Sequence, residues 1–214
     1  MRCIDKMLEM ALEVVLRWMS NKVEIRRGRG GGGVAGAVQW LAELLLTVNR
    51  NGFILVATVL VLAELLVCNL VIWRVKYTEI DWSTYMQQVE CFTKRGIRNY
   101  SEIGGDTGPV VYPAGHLIVY GVLSTVTEGG KNIRLGQYIF EGLYVVTLVL
   151  VFRIYYRSGR IPPFVLLLLC CISYRIHSIF ILRLFNDPVA MLLFYMALNM
   201  WIDGRWVLGC ILYR

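Results

Sequence analysis

The chain has 214 residues, of which 57% are hydrophobic and only 17% charged, with a mean hydropathy of +0.57. That much apolar surface exceeds what an interior of this size can hold, so lipid must solvate part of it and a compact soluble enzyme is excluded. The net charge of +7, from 22 Lys and Arg against 15 Asp and Glu, points in such a chain to cytoplasmic loops and anionic headgroups rather than to nucleic acid.

The first stretch, residues 1–51, interleaves charges with apolar residues and has no small-residue cleavage site, so it is not a signal peptide. Residues 26–36, RRGRGGGGVAG, read as a flexible basic linker. Gly28, Gly30 and Gly33 fall there in G-x-G-x-x-G order, but without a preceding strand the match carries no dinucleotide site. Val38 to Asn49 has the pattern of a short amphipathic helix on the membrane surface.

Gly52 to Trp73 is an apolar run of 22 residues, enough to cross about 30 Å of hydrocarbon. Arg26, Arg27, Arg29 and Arg50 precede it, which places the N-terminus in the cytoplasm. Residues 74–132 are mixed in character and should face the lumen. Within them, Trp82 to Thr93 sets Tyr85, Val89 and Phe92 on one helical face, and Asn99-Tyr100-Ser101 is an N-glycosylation sequon. His116 to Val126 is apolar but too short to span, so it reads as a re-entrant or interfacial helix.

Residues 133–214 hold the further spans: Ile133 to Phe152, Pro162 to Phe185, and Pro188 to about Ile202. The loop RIYYRSGR (153–160) has three arginines and no acid, so it belongs in the cytoplasm. Trp206 to Arg214 begins another apolar run of nine residues, the expected start of an incomplete fifth span in a truncated chain. The fold class is therefore an all-α, polytopic helical membrane protein with about four complete spans and a helical first luminal loop.

Cysteines at 3, 68, 91, 170, 171 and 210 form no CxxC pair, which indicates neither a disulfide framework nor a zinc site. Ionisable groups within the apolar runs are more informative, because each is costly at the membrane centre unless paired or wet. Glu64 and Glu141 each sit alone in an apolar helix, where a carboxyl bonded to a neighbouring helix is the simplest account. Arg175, His177 and Arg183 cluster on the third run, where guanidinium groups suit an oxyanion, although Arg183 could equally reach to headgroups. Asp187, before Pro188, is either an N-cap or a functional acid. Asp81 poses the same choice: it could cap the helix that follows, or take a proton from a hydroxyl at the membrane boundary. The stretch Gly104 to His116 is rich in Gly and Pro and reads either as a binding loop or as a plain cluster of turns.

The segments YTEIDW (77–82), GDTGPVVYPAGH (105–116) and PPFVLLLLCCISYRIHSIFILRLFNDPVAM (162–191) resemble the dolichyl-phosphate-mannose-dependent α-1,3-mannosyltransferases of the endoplasmic reticulum. The resemblance runs from about Val38 to the C-terminus. It implies a multi-pass membrane enzyme of GT-C architecture that extends a pentamannosyl dolichyl-pyrophosphate oligosaccharide in N-glycan precursor assembly. The donor would be dolichyl-phosphate mannose, and the anomeric centre would invert. Asp81 matches the loop acid and becomes the expected general base, with Asp187 as a second catalytic acid. Arg183, with Arg175 and His177, would hold the donor phosphate. Glu79, Trp82, Asp106, Tyr112 and His116 are the further candidate substrate-binding positions. The resemblance implies no metal and no cofactor beyond the donor, dolichyl-linked lipids as partners, and no nucleic acid. It leaves the oligomeric state open. The competing expectation is a non-catalytic membrane protein that binds lipid or partner helices.

Overall fold

A computed structural model describes residues 34–172 and 174–214. The N-terminal stretch and nearly all of the Gly/Arg linker lie outside them. The chain divides into two compact units, Met1–Glu43 and Leu44–Arg214. Helix α1 (Val34–Leu46) straddles that division, and the architecture below is that of the second unit.

Helix α2 (Arg50–Arg74) starts where the Asn49 side chain accepts the Asn51 N–H at 3.0 Å and ends at Arg74 and the extended Val75. Its 25 residues rise about 37 Å, enough to cross a bilayer. Phe53, Val56, Leu60, Glu64, Cys68 and Ile72 form one buried stripe at helical spacing, while Ile54, Leu55, Val59, Leu62, Leu66 and Leu70 stay exposed for lipid. Helix α5 (Ile133–Ser158) is the second helix long and apolar enough to cross a membrane; Asn132 caps it and Gly159 ends it at φ +62°. Tyr144, Leu148 and Phe152 of α5 pack into the same apolar cluster as the α2 stripe.

The apolar run from 162 is not one continuous helix. Helix α6 (Phe164–Ile172) and the segment Arg175–Leu182 meet at a 51° bend. After the one-turn helix α7 (Tyr174–His177), residues Ser178–Leu182 are wound as a π-helix, a form found mostly as short bulges near functional sites. Helix α8 (Asp187–Ile202) has 16 residues and the terminal α9 (Trp206–Tyr213) has eight. The expected four spans therefore resolve, among the described residues, into two long apolar helices and a broken third. At about 24 Å, α8 is short for a crossing.

Between α2 and α5 the loop folds around a core of its own. Helix α3 (Trp82–Thr93) lies beside α4 (Ala114–Val126), and the two are joined by a 3-10 turn (Tyr100–Glu102) and a minimal hairpin, β1 (Gly104–Gly105) with β2 (Gly108–Pro109), in which Gly104 faces Pro109. Trp82, Tyr85, Val89, Ile103, Leu117 and Tyr120 are all buried there, together with Phe140 of α5 and Leu184. Gly105 permits the hairpin to lie on α3, since a Cβ at that position would stand 2.8 Å from atoms of Thr84 and Gln87. At 13 residues, α4 rises only about 20 Å, short of a crossing.

The far end of α5 is clamped to the end of α8. Arg153 donates to Asn199 Oδ1 at 2.7 Å and to both oxygens of Asp203 at 2.7 and 2.9 Å. Arg157 adds a longer contact to Asp203 at 3.4 Å. Loop core and arginine clamp thus occupy opposite ends of α5.

Candidate functional site at the loop carboxylates

Asp81 stands at the N-terminus of α3, yet its side chain makes no capping hydrogen bond. The backbone explains this. An N-cap residue needs extended dihedrals to aim its oxygen at the first turn, whereas Asp81 is helical at φ −118°, ψ −8°. Glu79 does the work instead: its Oε1 accepts the Ser83 N–H and its Oε2 accepts the Tyr77 hydroxyl, both at 2.9 Å. Burial and the Glu79 carboxylate hold the Tyr77 phenol well above its usual range, so it remains a donor. Asp81 is left half-buried, with its carboxylate free of the helix end.

Asp187 opens α8 with Pro188 beside it, and the cap position falls on Asn186, again without a side-chain bond. The turn that carries Asp187 is tied to the loop and to α5 by backbone carbonyls. Thr78 N–H donates to Leu182 O at 3.0 Å, Tyr120 Oη to Leu184 O at 3.3 Å, and the buried Gln137 Nε2 to Ile181 O at 2.9 Å. Leu184 is fully buried at φ +51°, a left-handed conformation rare for a residue with a Cβ. Thr78 and Tyr120 of the loop, with Gln137 of α5, thus hold a left-handed turn against the loop core, and the charges of Asp81 and Asp187 both act on the Tyr85 phenol. Burial, the Tyr112 hydroxyl, and the charges of Asp81 and Asp187 all push the Tyr85 phenol up. Burial, neighbouring tyrosines and Asp187 do the same at Tyr120.

At the centre of that group is His116. Its ring lies 4.9 Å from Tyr85, 4.7 Å from Tyr112 and 4.5 Å from Tyr120, centroid to centroid. Both ring nitrogens are buried without a hydrogen-bond partner, and burial pushes its pKa down to about 4. The site is an aromatic cage around a neutral imidazole, and the charges of Asp81 and Asp187 reach its Tyr85.

The other sequence candidates take varied positions. Tyr112 belongs to the cage, its hydroxyl 3.3 Å from that of Tyr85. Trp82 is buried and donates Nε1 to Gly130 O at 3.0 Å. Asp106 closes a clasp with Gln87, accepting its Nε2 at 2.6 Å and donating its own N–H to Oε1 at 2.8 Å. Arg183 is half-buried in the Asp187 turn, its guanidinium 5.9 Å from the Phe185 ring, while Arg175 is exposed. His177 is engaged with Glu64, Nε2 to Oε2 at 2.7 Å.

Both intramembrane carboxylates therefore have partners on a neighbouring helix, because Glu141 accepts from Asn69 Nδ2 at 2.7 Å. Spacing in the sequence did not show that Cys68 joins Glu64 and His177, with ligand atoms all within 4.8 Å of one another. It is an assortment of metal-ligating atom types, but the short Glu64–His177 bond already satisfies two of the three groups. Sequence reasoning also missed Gln137 and Tyr120; a lone glutamine within an apolar helix was the signal for the first.

The fold defines a helical membrane protein in which the segment between two long apolar helices packs around an aromatic core and carries Asp81. Residues 58–214 match the family model described as ALG3 protein. The chain is 55% identical over 155 residues to the dolichyl-P-Man:Man5GlcNAc2-PP-dolichol alpha-1,3-mannosyltransferase l(2)not2 of Drosophila melanogaster, covering 72% of this chain and 32% of that protein. It is 49% identical over 171 residues to the Dol-P-Man:Man(5)GlcNAc(2)-PP-Dol alpha-1,3-mannosyltransferase of Mus musculus, covering 80% and 39%. Against the Homo sapiens protein of that name it is 46% identical over 193 residues, covering 86% and 44%. No solved structure matches. The chain belongs to the ALG3 family, and it spans between about a third and under half of the length of these relatives.

Proposed function

We propose that the chain takes part in transferring mannose from dolichyl-phosphate mannose to the pentamannosyl dolichyl-pyrophosphate oligosaccharide, forming an α-1,3 linkage with inversion in the endoplasmic reticulum membrane. The observation that carries this reading is the uncapped Asp81. Glu79 satisfies the helix end, so a carboxylate stands free at a membrane-boundary loop in a chain whose relatives bear that activity in their names.

In this reading Asp81 removes the proton from the acceptor hydroxyl as its oxygen bonds to the anomeric carbon of the donor. The bond from that carbon to the phosphate oxygen breaks on the opposite face, and dolichyl phosphate leaves with the electron pair. Arg183 stabilises the charge developing on that phosphate. Asp187 helps orient the acceptor hydroxyl, and the neutral His116 with its tyrosines shapes a dry wall beside the reaction. No resident metal or cofactor enters the scheme. The N-terminus would be cytoplasmic and the loop of residues 74–132 luminal.

The test is transfer of labelled mannose from dolichyl-phosphate mannose to the lipid-linked acceptor in membranes containing the chain. Transfer that is lost in Asp81→Asn at equal protein level supports the reading; near-normal transfer by that variant overturns the assignment. Orientation is read separately, from an endoglycosidase-sensitive glycan on Asn99.

A further inference from the structure

Glu64 lies near the middle of α2, the depth at which a charged group is most costly in a membrane. Cys68 follows it by one helical turn on the same buried face, and the bent third run brings His177 to both from a distant part of the chain. A carboxylate oxygen, the Cys68 sulfur and a ring nitrogen of His177 all lie within 4.8 Å of one another, the one such group among the described residues. The Glu64–His177 hydrogen bond accounts for two of the three. It leaves unexplained the Cys68 thiol, which is completely buried and set against the pair.

We propose that Glu64, Cys68 and His177 form a zinc site within the membrane that ties α2 to the bent third run. The donor set selects the metal. Magnesium and calcium take oxygen ligands and are excluded by a thiolate, while a carboxylate beside an imidazole suits zinc better than copper(I). The charge also fits the location. Zn²⁺ with one carboxylate, one thiolate and a neutral imidazole sums to zero, so the complete site brings no net charge into the apolar interior. On binding, the Cys68 thiol releases its proton to solvent, and His177 presents Nε2 to the metal with its remaining proton on Nδ1.

Little movement is needed. Zinc bonds of about 2.0–2.3 Å set neighbouring ligand atoms about 3.5 Å apart, so the 2.7 Å Glu64–His177 pair opens and the wider separations close, each by about 1 Å. An outer shell already surrounds the carboxylate. The Tyr144 hydroxyl of α5 and the Cys170 thiol of α6 both hydrogen-bond Glu64, and the Tyr144 ring lies 5.4 Å from that of His177. Partners of this kind orient a ligating group and raise its affinity for the metal. The site is structural and does not rest on the transferase reading.

Cobalt(II) is the probe, because it takes the place of zinc and a thiolate bound to it gives a charge-transfer band in the near ultraviolet. The detergent-solubilised chain, stripped with a chelator and reloaded, should retain about one cobalt through gel filtration, show that band, and lose it when zinc is added. Cys68→Ser keeps a side chain of similar size and the Glu64–His177 bond; it should lack the band and hold the metal at least about tenfold more weakly. Cys68→Ala, with no donor at that position, should behave alike. Cys170→Ser and Cys171→Ser should keep the band, since their sulfurs lie outside the group of three. Zinc should raise the unfolding midpoint of the native chain and leave that of Cys68→Ser unmoved, while the two metal-free midpoints agree. No band in the native chain, a band intact in Cys68→Ser, or one that disappears with Cys170 or Cys171 instead overturns the site.

Discussion

Thr78 donates its backbone N–H to the carbonyl of Leu182 at 3.0 Å, across more than one hundred residues of sequence. Three residues after Thr78 comes Asp81, and five after Leu182 comes Asp187. That bond therefore ties the start of the loop to the turn behind the π-helix, and with Tyr120 and Gln137 it holds the turn that precedes Asp187 against the loop that carries Asp81.

Two acids two residues apart have different duties at the start of α3, so their substitutions should separate. Asp81→Asn removes no capping bond and should leave the unfolding midpoint of the purified protein unchanged while mannose transfer is lost. Glu79→Ala removes the acceptor for the Ser83 N–H and the Tyr77 hydroxyl, and should destabilise by about 1 kcal/mol, the usual cost of losing a helix cap. A thermal shift in Asp81→Asn equal to that in Glu79→Ala would contradict the division.

The Glu64–His177 pair should behave as a unit. With side chains 9% and 16% exposed, either partner left alone is a buried polar group without its bond, and breaking such a pair typically costs about 3 kcal/mol. His177→Ala and Glu64→Gln should each destabilise, and the double variant should be much less destabilised than their sum. Chemical unfolding in mixed micelles gives the cycle, and strict additivity would mean that the 2.7 Å contact contributes nothing.

Much of this fold was legible in the sequence where one physical signal acts alone. Helices α2 and α5 follow from long apolar runs, although α5 continues to Ser158 through residues that read in sequence as a loop, and α3 follows from the spacing of Tyr85, Val89 and Phe92. The broken third span was not legible. Uniform apolarity marks a helix without marking its bends, and the bend depends on partners elsewhere in the chain: Glu64 for His177 and Gln137 for the Ile181 carbonyl. Asp81 illustrates the same limit at the site. Two acids within reach of a helix start are equivalent in sequence, and only the backbone dihedrals of Asp81 give the cap to Glu79. His177 reads in sequence as a neighbour of Arg175 and Arg183, yet its side chain is directed to another helix.

Gln137 offers a test of how firmly the turn is held. Gln137→Leu preserves volume but leaves the buried Ile181 carbonyl without its donor. The expected cost is about 1–3 kcal/mol, with faster amide hydrogen exchange in residues 178–187 and little change near the Arg153–Asp203 clamp at the other end of α5. Uniform exchange changes along the whole chain would show that Gln137 supports global packing rather than the turn.

His116 gives the site a pH dependence whose sign can be worked out. Its folded-state pKa is depressed to about 4, against about 6.5 in an unfolded chain. Above about pH 6.5 neither state binds the proton, and the stability from packing a neutral ring among Tyr85, Tyr112 and Tyr120 is fully present. As pH falls towards 4 the unfolded chain takes up a proton that the folded one refuses, so stability declines across that window and levels off below it. His116→Phe keeps a ring in the cage, removes two nitrogens that have no partner, and should flatten the profile between pH 6.5 and 4. Unfolding midpoints measured through that range for both proteins decide the matter. A decline equally steep in His116→Phe would assign the acid sensitivity to other groups and leave His116 out of it.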